Sequence, residues 1–235
     1  MTTHVTSTNP VRSDLSPTPS APRASRAWAG AGVVAGLAGL ATFNLSGMIG
    51  GVYDPELGGD AALITDELAD QTGLLIAFHT VTMIGAVLSV VFAAGLFRRL
   101  RATMGETALA PLIAFSGVFG TAVVSVLGAG LDTEFIFALS DDEGLVNPAN
   151  VTFYNHWIGT IPWLWVLAGL SGLALFVAGR AKAVPRWIGI VGLVLGGITL
   201  LWGVSPLQYM AGMTGPVWML VTALGFSFGD RTSGV

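Results

Sequence analysis

Six long apolar stretches alternate with short polar segments along the chain, and this alternation predicts its architecture. Each stretch approaches the roughly 20 residues that a helix needs to cross the hydrocarbon of a bilayer. We therefore predict an all-α integral membrane protein, a bundle of six transmembrane helices. The predicted spans are residues 27–49, 72–97, 108–131, 156–179, 187–205 and 211–228.

Polar tails flank this six-span membrane domain, which covers residues 26–229. Residues 1–25 are rich in Ser, Thr and Pro and hold almost nothing to bury, so we predict a disordered tail. Its length and polarity argue against a cleaved signal peptide, and we expect the first span to act as an uncleaved anchor. Residues 230–235 form a second short tail.

Local signals refine where the helices begin. Asn147 followed by Pro148 is a capping residue before a proline at the first helical position, so the fourth helix is expected to begin near Pro148 and to kink at Pro162. Thr65 is expected to cap a helix before the second span. The sixth span is expected to begin at Pro216, after Thr214 and Gly215.

The charges predict the orientation of these spans. All ten Lys and Arg residues precede span 1 or follow spans 2, 4 and 6, and all but three of the 14 carboxylates lie in the other loops. The exceptions are Asp14, Glu106 and Asp230. Short loops rich in Lys and Arg stay in the cytoplasm. The pattern therefore predicts a multi-pass protein of a bacterial plasma membrane with both termini cytoplasmic.

The composition excludes several classes of function. The chain is 53% hydrophobic and only 10% charged, whereas a soluble domain has about 25% charged residues. No basic cluster is large enough to neutralise several phosphates, which excludes nucleic acid as a partner. The chain has no cysteine, so it forms no disulfide and no thiolate metal site.

Glycines and aromatic residues predict how the spans pack. Small residues such as Gly32 and Gly36 let membrane helices approach closely, which favours a compact bundle. Aromatic residues near predicted span ends indicate an interfacial belt, comprising Trp28, Tyr154, Trp157, Trp187 and Tyr209.

Two segments in the C-terminal third carry a resemblance. A basic Pro185-Arg186-Trp187 turn opens a glycine-rich fifth span, and Gly215-Pro216-Val217-Trp218 opens the last one. In these segments the chain resembles a family of uncharacterised multi-pass membrane proteins common in actinobacteria, and elsewhere the likeness is one of layout. That family has no assigned activity, so the resemblance implies no functional residues.

Few ionisable residues lie in the apolar windows, and each is a functional candidate because burying a charge in a membrane is costly. We predict a catalytic group of His79, His156, Asp132 and Glu134, which share the half of the bundle away from the basic loops. Imidazoles and carboxylates can exchange protons near neutral pH. No Lys or Arg lies on this side to balance the carboxylates.

Polar and aromatic residues at similar depth are the predicted ligand-binding residues, namely Asn44, Met83, Asn155, Trp163, Trp165 and Trp202. An aromatic-lined cavity beside an acid would suit a lipophilic molecule, because π faces stabilise carbocations. The expected function is therefore binding or transforming a lipophilic small molecule, in the manner of a membrane-embedded isoprenoid (terpene) cyclase.

Other interpretations stay open at this point. His79 and His156 could ligate a haem or a divalent metal. The chain could instead be a small transporter or an accessory subunit, or the polar side chains could merely satisfy one another. The expected partners are the lipid bilayer and a lipophilic small molecule, and a homo-oligomer is compatible with the sequence.

Overall fold

The computed structural model describes residues 26–141 and 146–229, and within these ranges the chain is helical with no strands. The α-helices of these residues are α1 (Ala27–Met48), α2 (Ala61–Asp70), α3 (Thr72–Met104), α4 (Ala110–Gly128), α5 (Asp132–Leu139), α6 (Pro148–Ile158), α7 (Val166–Arg180), α8 (Arg186–Val191), α9 (Gly197–Gly203) and α10 (Ala211–Leu224). Short 3-10 helices lie at Pro55–Leu57, Ile161–Trp163 and Gln208–Met210, and π-helical turns at Gly192–Gly196 and Gly225–Gly229.

Six helical stretches of the described residues are long and apolar enough to cross a membrane, which confirms the all-α class and the six predicted spans. They are Ala27–Met48, Thr72–Met104, Ala110–Leu139, Pro148–Arg180, Arg186–Gly203 and Gln208–Gly229. This is the architecture of a multi-pass membrane protein. The two predicted tails, 1–25 and 230–235, lie outside the described residues.

Helix boundaries agree with some sequence signals and contradict others. The side chain of Asn147 accepts a hydrogen bond from the Ala149 amide at 2.9 Å, so α6 begins at Pro148 as predicted. The predicted Thr65 cap is wrong: Asp60 caps α2, and Thr65 lies inside that helix and donates to the Ala61 carbonyl. Pro216 lies within α10 rather than at its start.

The six spans form a closed ring. Each span packs against the next one in the chain, and α10 packs against α1 to complete the circle. Arg26, just before α1, donates from Nη1 to the Ser227 carbonyl at 2.9 Å, which joins the first and last spans. The end that holds Arg26, Arg98–Arg101 and Arg180–Arg186 is called the basic end below, and the opposite end is called the acidic end.

Glycines allow close contact between neighbouring helices, as predicted. A Cβ on Gly36 of α1 would lie 2.8 Å from the backbone nitrogen of Leu220 in α10. A Cβ on Gly192 would lie 2.3 Å from the carbonyl oxygen of Gly172 in α7. Such distances are shorter than any real Cβ contact, so these helices can only meet through glycine.

Two hydrophobic cores stabilise the protein. The larger runs through the ring and includes Phe92, Trp165 and Trp218. The smaller lies at the acidic end, where α2, α5 and α6 cover the bundle; these three helices are called the cap below. Outward-facing apolar residues of the spans stay exposed, as a lipid-facing surface requires, among them Leu37, Ile84, Val87, Leu112, Val123 and Leu201.

Two helix breaks place the cap. The third span breaks after Gly128 and resumes as α5 at Asp132, and the fourth is interrupted between α6 and α7 around Pro162, which confirms the predicted kink. The breaks face each other, because Trp157 donates from Nε1 to the Gly128 carbonyl at 3.0 Å. The beginning of α5 is therefore held beside α6.

Candidate functional site

Asp132 is the centre of the candidate site. It opens α5, where carboxylates in the first turn interact favourably with the helix dipole. Its side chain is fully buried, and each of its two oxygens has a different partner. Oδ2 lies 3.0 Å from Nδ1 of His79 in α3, and Oδ1 accepts a hydrogen bond from the Tyr154 hydroxyl in α6 at 3.0 Å.

Tyr154 is placed by the buried face of α6. The buried residues Val151, Tyr154, Asn155 and Ile158 follow helical spacing. The Tyr154 ring stacks on Phe135 of α5, with 4.3 Å between the centroids. Tyr154 is therefore a buried partner of Asp132 and not a member of the interfacial belt that the sequence predicted.

His79 connects this buried cluster to the surface of the bundle. It flanks the buried face of α3 formed by Leu75, Phe78 and Thr82, and its side chain is 32% exposed. An ionised carboxylate can only accept hydrogen bonds, so Asp132 in that state requires the proton on Nδ1 of His79. Nε2, the other ring nitrogen, is then the acceptor that is left for another molecule.

His79 is also the side chain that can form an ion pair with Asp132. The sequence places no Lys or Arg in the loops of the acidic end, and within the described residues the ion pair of Asp132 is with His79. A fully buried carboxylate needs such a partner, because transfer of an isolated charge from water costs several kcal/mol or more. No Lys or Arg of the described residues neutralises Asp132 at this end. The counter-charge for Asp132 is therefore the imidazole of His79, which carries a charge only when it is protonated.

Within the described residues, neither of the other two predicted catalytic residues forms a hydrogen bond or ion pair with this cluster. Glu134 is exposed on α5. His156 is exposed on α6, and its ring packs edge-on against Tyr53 at a centroid distance of 5.7 Å. Partial burial raises the pKa of the Tyr53 hydroxyl, and the nearby Tyr209 raises it further. His79 and His156 thus contact different neighbours.

Asn155 holds a loop of the acidic end. Its Oδ1 accepts a hydrogen bond from the backbone amide of Val52 at 2.7 Å, and the side chain is buried. Gly51 precedes this contact with a φ of +96°, and a Cβ there would lie 2.6 Å from Asn155 Oδ1. This asparagine therefore positions the loop that follows α1.

The remaining predicted ligand-binding residues are spread over the bundle. Asn44 is exposed and donates to the Leu40 carbonyl of its own helix. Met83 and Trp202 are half-buried. Trp163 packs against Phe43 and donates to Ser46, and Trp165 is buried and donates to the Pro162 carbonyl. Packing and hydrogen bonds within the protein therefore explain the positions of the Trp163 and Trp165 indoles.

A small polar cavity lies inside the ring and is lined by Trp165 together with Thr42, Thr82, Ser89 and Ser125. Its volume of about 10 Å³ is that of one water molecule. It is too small for an organic ligand. His79 is not among the residues that line this cavity.

Metal ligands are sparse in the part of the chain that the structure describes. Residues 26–141 and 146–229 contain no group of three or more His, Cys, Asp or Glu side chains that could hold a metal ion. The haem or divalent-metal interpretation through His79 and His156 gains no support from this arrangement.

Comparison with known proteins adds no relative: no family model, no curated protein and no solved structure matches the chain. The resemblance to actinobacterial membrane proteins stays a prediction.

Proposed function

We propose that this membrane protein binds a lipophilic small molecule at its acidic end and exchanges a proton with it through His79. The observation that carries this proposal is the contact between His79 Nδ1 and the fully buried Asp132 Oδ2 at 3.0 Å. A histidine oriented by a carboxylate is a general acid or base whose tautomer is fixed. Tyr154 orients the carboxylate in turn.

Proton exchange at Nε2 follows from the chemistry of the pair. As a base, His79 takes a proton at Nε2, and the ionised Asp132 stabilises the resulting imidazolium. As an acid, His79 returns the proton from Nε2, while its Nδ1 keeps the other proton and donates it in the hydrogen bond to the ionised Asp132. Tyr154 donates to Asp132 throughout and exchanges no proton with the ligand.

The surroundings of His79 favour a lipophilic partner. Its neighbours on the outer face of α3 include the exposed Ile76 and the half-buried Met83. Within the described part of the chain, the Lys and Arg residues of this membrane domain lie at the basic end, so an anionic, water-soluble substrate finds no cationic group beside His79. A molecule dissolved in the bilayer reaches the imidazole laterally.

Orientation is part of the proposal. With both termini in the cytoplasm, as the positive loops favour, His79 and Asp132 lie in the outer half of a bacterial plasma membrane. We propose acid–base chemistry and not isoprenoid cyclisation, because the indoles of Trp163 and Trp165 donate to Ser46 Oγ and to the Pro162 carbonyl.

The experiment compares wild-type protein with His79→Gln and with His156→Gln as the matched control, each purified in nanodiscs from the same membranes. Bound molecules are extracted with organic solvent and identified by mass spectrometry, after incubation in D₂O to label exchanging positions. We expect the His79 variant to lose the bound molecule or its deuterium label, and the His156 variant to keep both. Equal retention and labelling in all three proteins would refute the proposal.

A further inference from the structure

A groove opens at the basic end between α7 and α8, far along the chain from His79. Its volume is about 610 Å³. Its lining includes the apolar side chains of Phe176, Val184 and Ile190, called the floor below, and three basic side chains, called the rim, namely Arg180, Lys182 and Arg186. The three basic residues are exposed. The groove therefore combines a lipid-compatible floor with a concentrated positive charge.

Close helix packing shapes the groove. Gly179 of α7 and Gly189 of α8 meet directly, because a Cβ on Gly189 would lie 3.1 Å from the Cα of Gly179. With no side chains at this contact, the two helices touch along their backbones and leave Phe176 and Ile190 on the flank. Arg180 and Arg186 border the apolar windows of the fourth and fifth spans, so we expect this flank to lie at the level of lipid headgroups.

Lys182 occupies a backbone position that normally belongs to glycine. The turn after α7 has the two hydrogen bonds of a Schellman motif: the Ala183 amide donates to the Ala178 carbonyl, and the Lys182 amide to the Gly179 carbonyl. Lys182 has a φ of +58°, and among the described residues it is the only one other than glycine with a positive φ. A bulky residue in this conformation is uncommon and points to a role for its side chain.

The positive charges of the groove are not balanced by carboxylates. None of the residues that line the groove is acidic. Glu106 is the only carboxylate of the basic end among the described residues. It forms an ion pair with Arg101 at 3.0 Å, outside the groove. Arg180, Lys182 and Arg186 make no ion pair within that part of the chain. The charge of these three side chains therefore favours binding of an anion.

We propose that this groove is a binding site for one anionic phospholipid, whose headgroup phosphate lies among Arg180, Lys182 and Arg186 and whose acyl chain covers Phe176 and Ile190. Basic pockets between transmembrane helices are known to suit acidic lipid headgroups. The apolar floor selects a lipid over a free phosphate, because a free anion would use the rim alone. The site is independent of the His79 cluster.

Native mass spectrometry of the full chain tests this proposal, after extraction from vesicles of phosphatidylcholine mixed with phosphatidylglycerol. Each basic residue near a membrane contributes about 1 kcal/mol toward anionic lipid, so preference for phosphatidylglycerol should fall roughly fivefold per charge removed. Lys182→Gly is the cleanest variant, because glycine suits the φ of +58° and the turn stays intact. Arg180→Gln/Arg186→Gln should lower the preference further.

Two matched variants separate the groove from general attraction. Arg98→Gln/Arg99→Gln removes the same charge from the same end outside the groove, so it should lower the preference by general attraction alone and by less than Arg180→Gln/Arg186→Gln does. Ile190→Trp fills the apolar floor and leaves the charges of the rim in place. It should reduce retention of phosphatidylglycerol, while glycerol phosphate should compete for the rim as it does in the wild-type protein. An equal fall in the Arg98/Arg99 variant would overturn the proposal, and so would displacement of the lipid by glycerol phosphate at equal concentration.

Discussion

The Tyr154 hydroxyl donates to Asp132 Oδ1 across 3.0 Å and ties α6 to the first turn of α5. Because the other oxygen of Asp132 contacts His79, one buried carboxylate joins three helices. The cap is therefore attached to the bundle by a polar contact as well as by its apolar core.

Removing the tyrosine hydroxyl tests the strength of this contact. We expect Tyr154→Phe to keep the ring stacked on Phe135 and to lower the free energy of unfolding by about 0.5–1.5 kcal/mol. Reversible unfolding in mixed detergent micelles measures this difference. Tyr53→Phe, at an exposed tyrosine of the same end, is the control and should change stability by less. Equal effects would mean that the Asp132 contact adds nothing.

Removal of the carboxylate should cost more. Asp132→Ala leaves the buried Tyr154 hydroxyl without its acceptor, so we expect a loss of about 2–3 kcal/mol. In the Asp132→Ala background, Tyr154→Phe should become nearly neutral, because the unpaired hydroxyl is removed together with its desolvation cost. A double-mutant cycle measured by the same unfolding method checks this, and strictly additive effects would contradict the contact.

Two buried threonines of the spans should respond differently to the same substitution. Thr222 is fully buried and its hydroxyl has no partner among the described residues, whereas Thr82 is bonded to Thr42 at 3.0 Å. We expect Thr222→Val to leave stability unchanged or raise it by up to about 1 kcal/mol. Thr82→Val should lower it by about 0.5–1.5 kcal/mol. Destabilisation by both variants to the same extent would contradict this difference.

Glycine contacts in α1 allow a second paired test. Gly36→Ala places a methyl group 2.8 Å from the Leu220 backbone, and such overpacking should cost about 1–3 kcal/mol. Gly30 has no heavy atom within 4 Å of the same methyl position, so Gly30→Ala should raise stability by about 0.5–1 kcal/mol through helix propensity. Thermal unfolding in nanodiscs distinguishes the two, and equal melting temperatures would argue against close contact between α1 and α10.

Apolar length was sufficient to predict the six spans, but the helices continue past the apolar windows. The helix α3 extends to Met104 through Arg98, Arg99 and Arg101, because arginine is a good helix former and reaches the interface with its long side chain. The third span continues through α5, and the fourth begins at Pro148, eight residues before its apolar window, where the Asn147-Pro148 capping signal had placed it. Hydropathy alone does not detect these amphipathic extensions.

The candidate site could be predicted only in part. Sequence places His79 and Asp132 in the same half of the membrane, but their contact depends on how α5 turns after Gly128. Tyr154 could have been found, since a helix that begins at Pro148 puts Val151, Tyr154 and Ile158 on one face. The same spacing puts His156 on the opposite, exposed face, so the periodicity already separates the two histidines.

The hydrogen bond from Arg26 to the Ser227 carbonyl has a consequence for biogenesis. A ribosome delivers α1 before α10, so α1 waits for its second neighbour until α10 has been synthesised. Until then, the surface of α1 around Gly36 has no helix against it and is open to lipid or to a chaperone. A chain that terminates before the sixth span would keep that seam open, and membrane proteases could distinguish it from the finished protein.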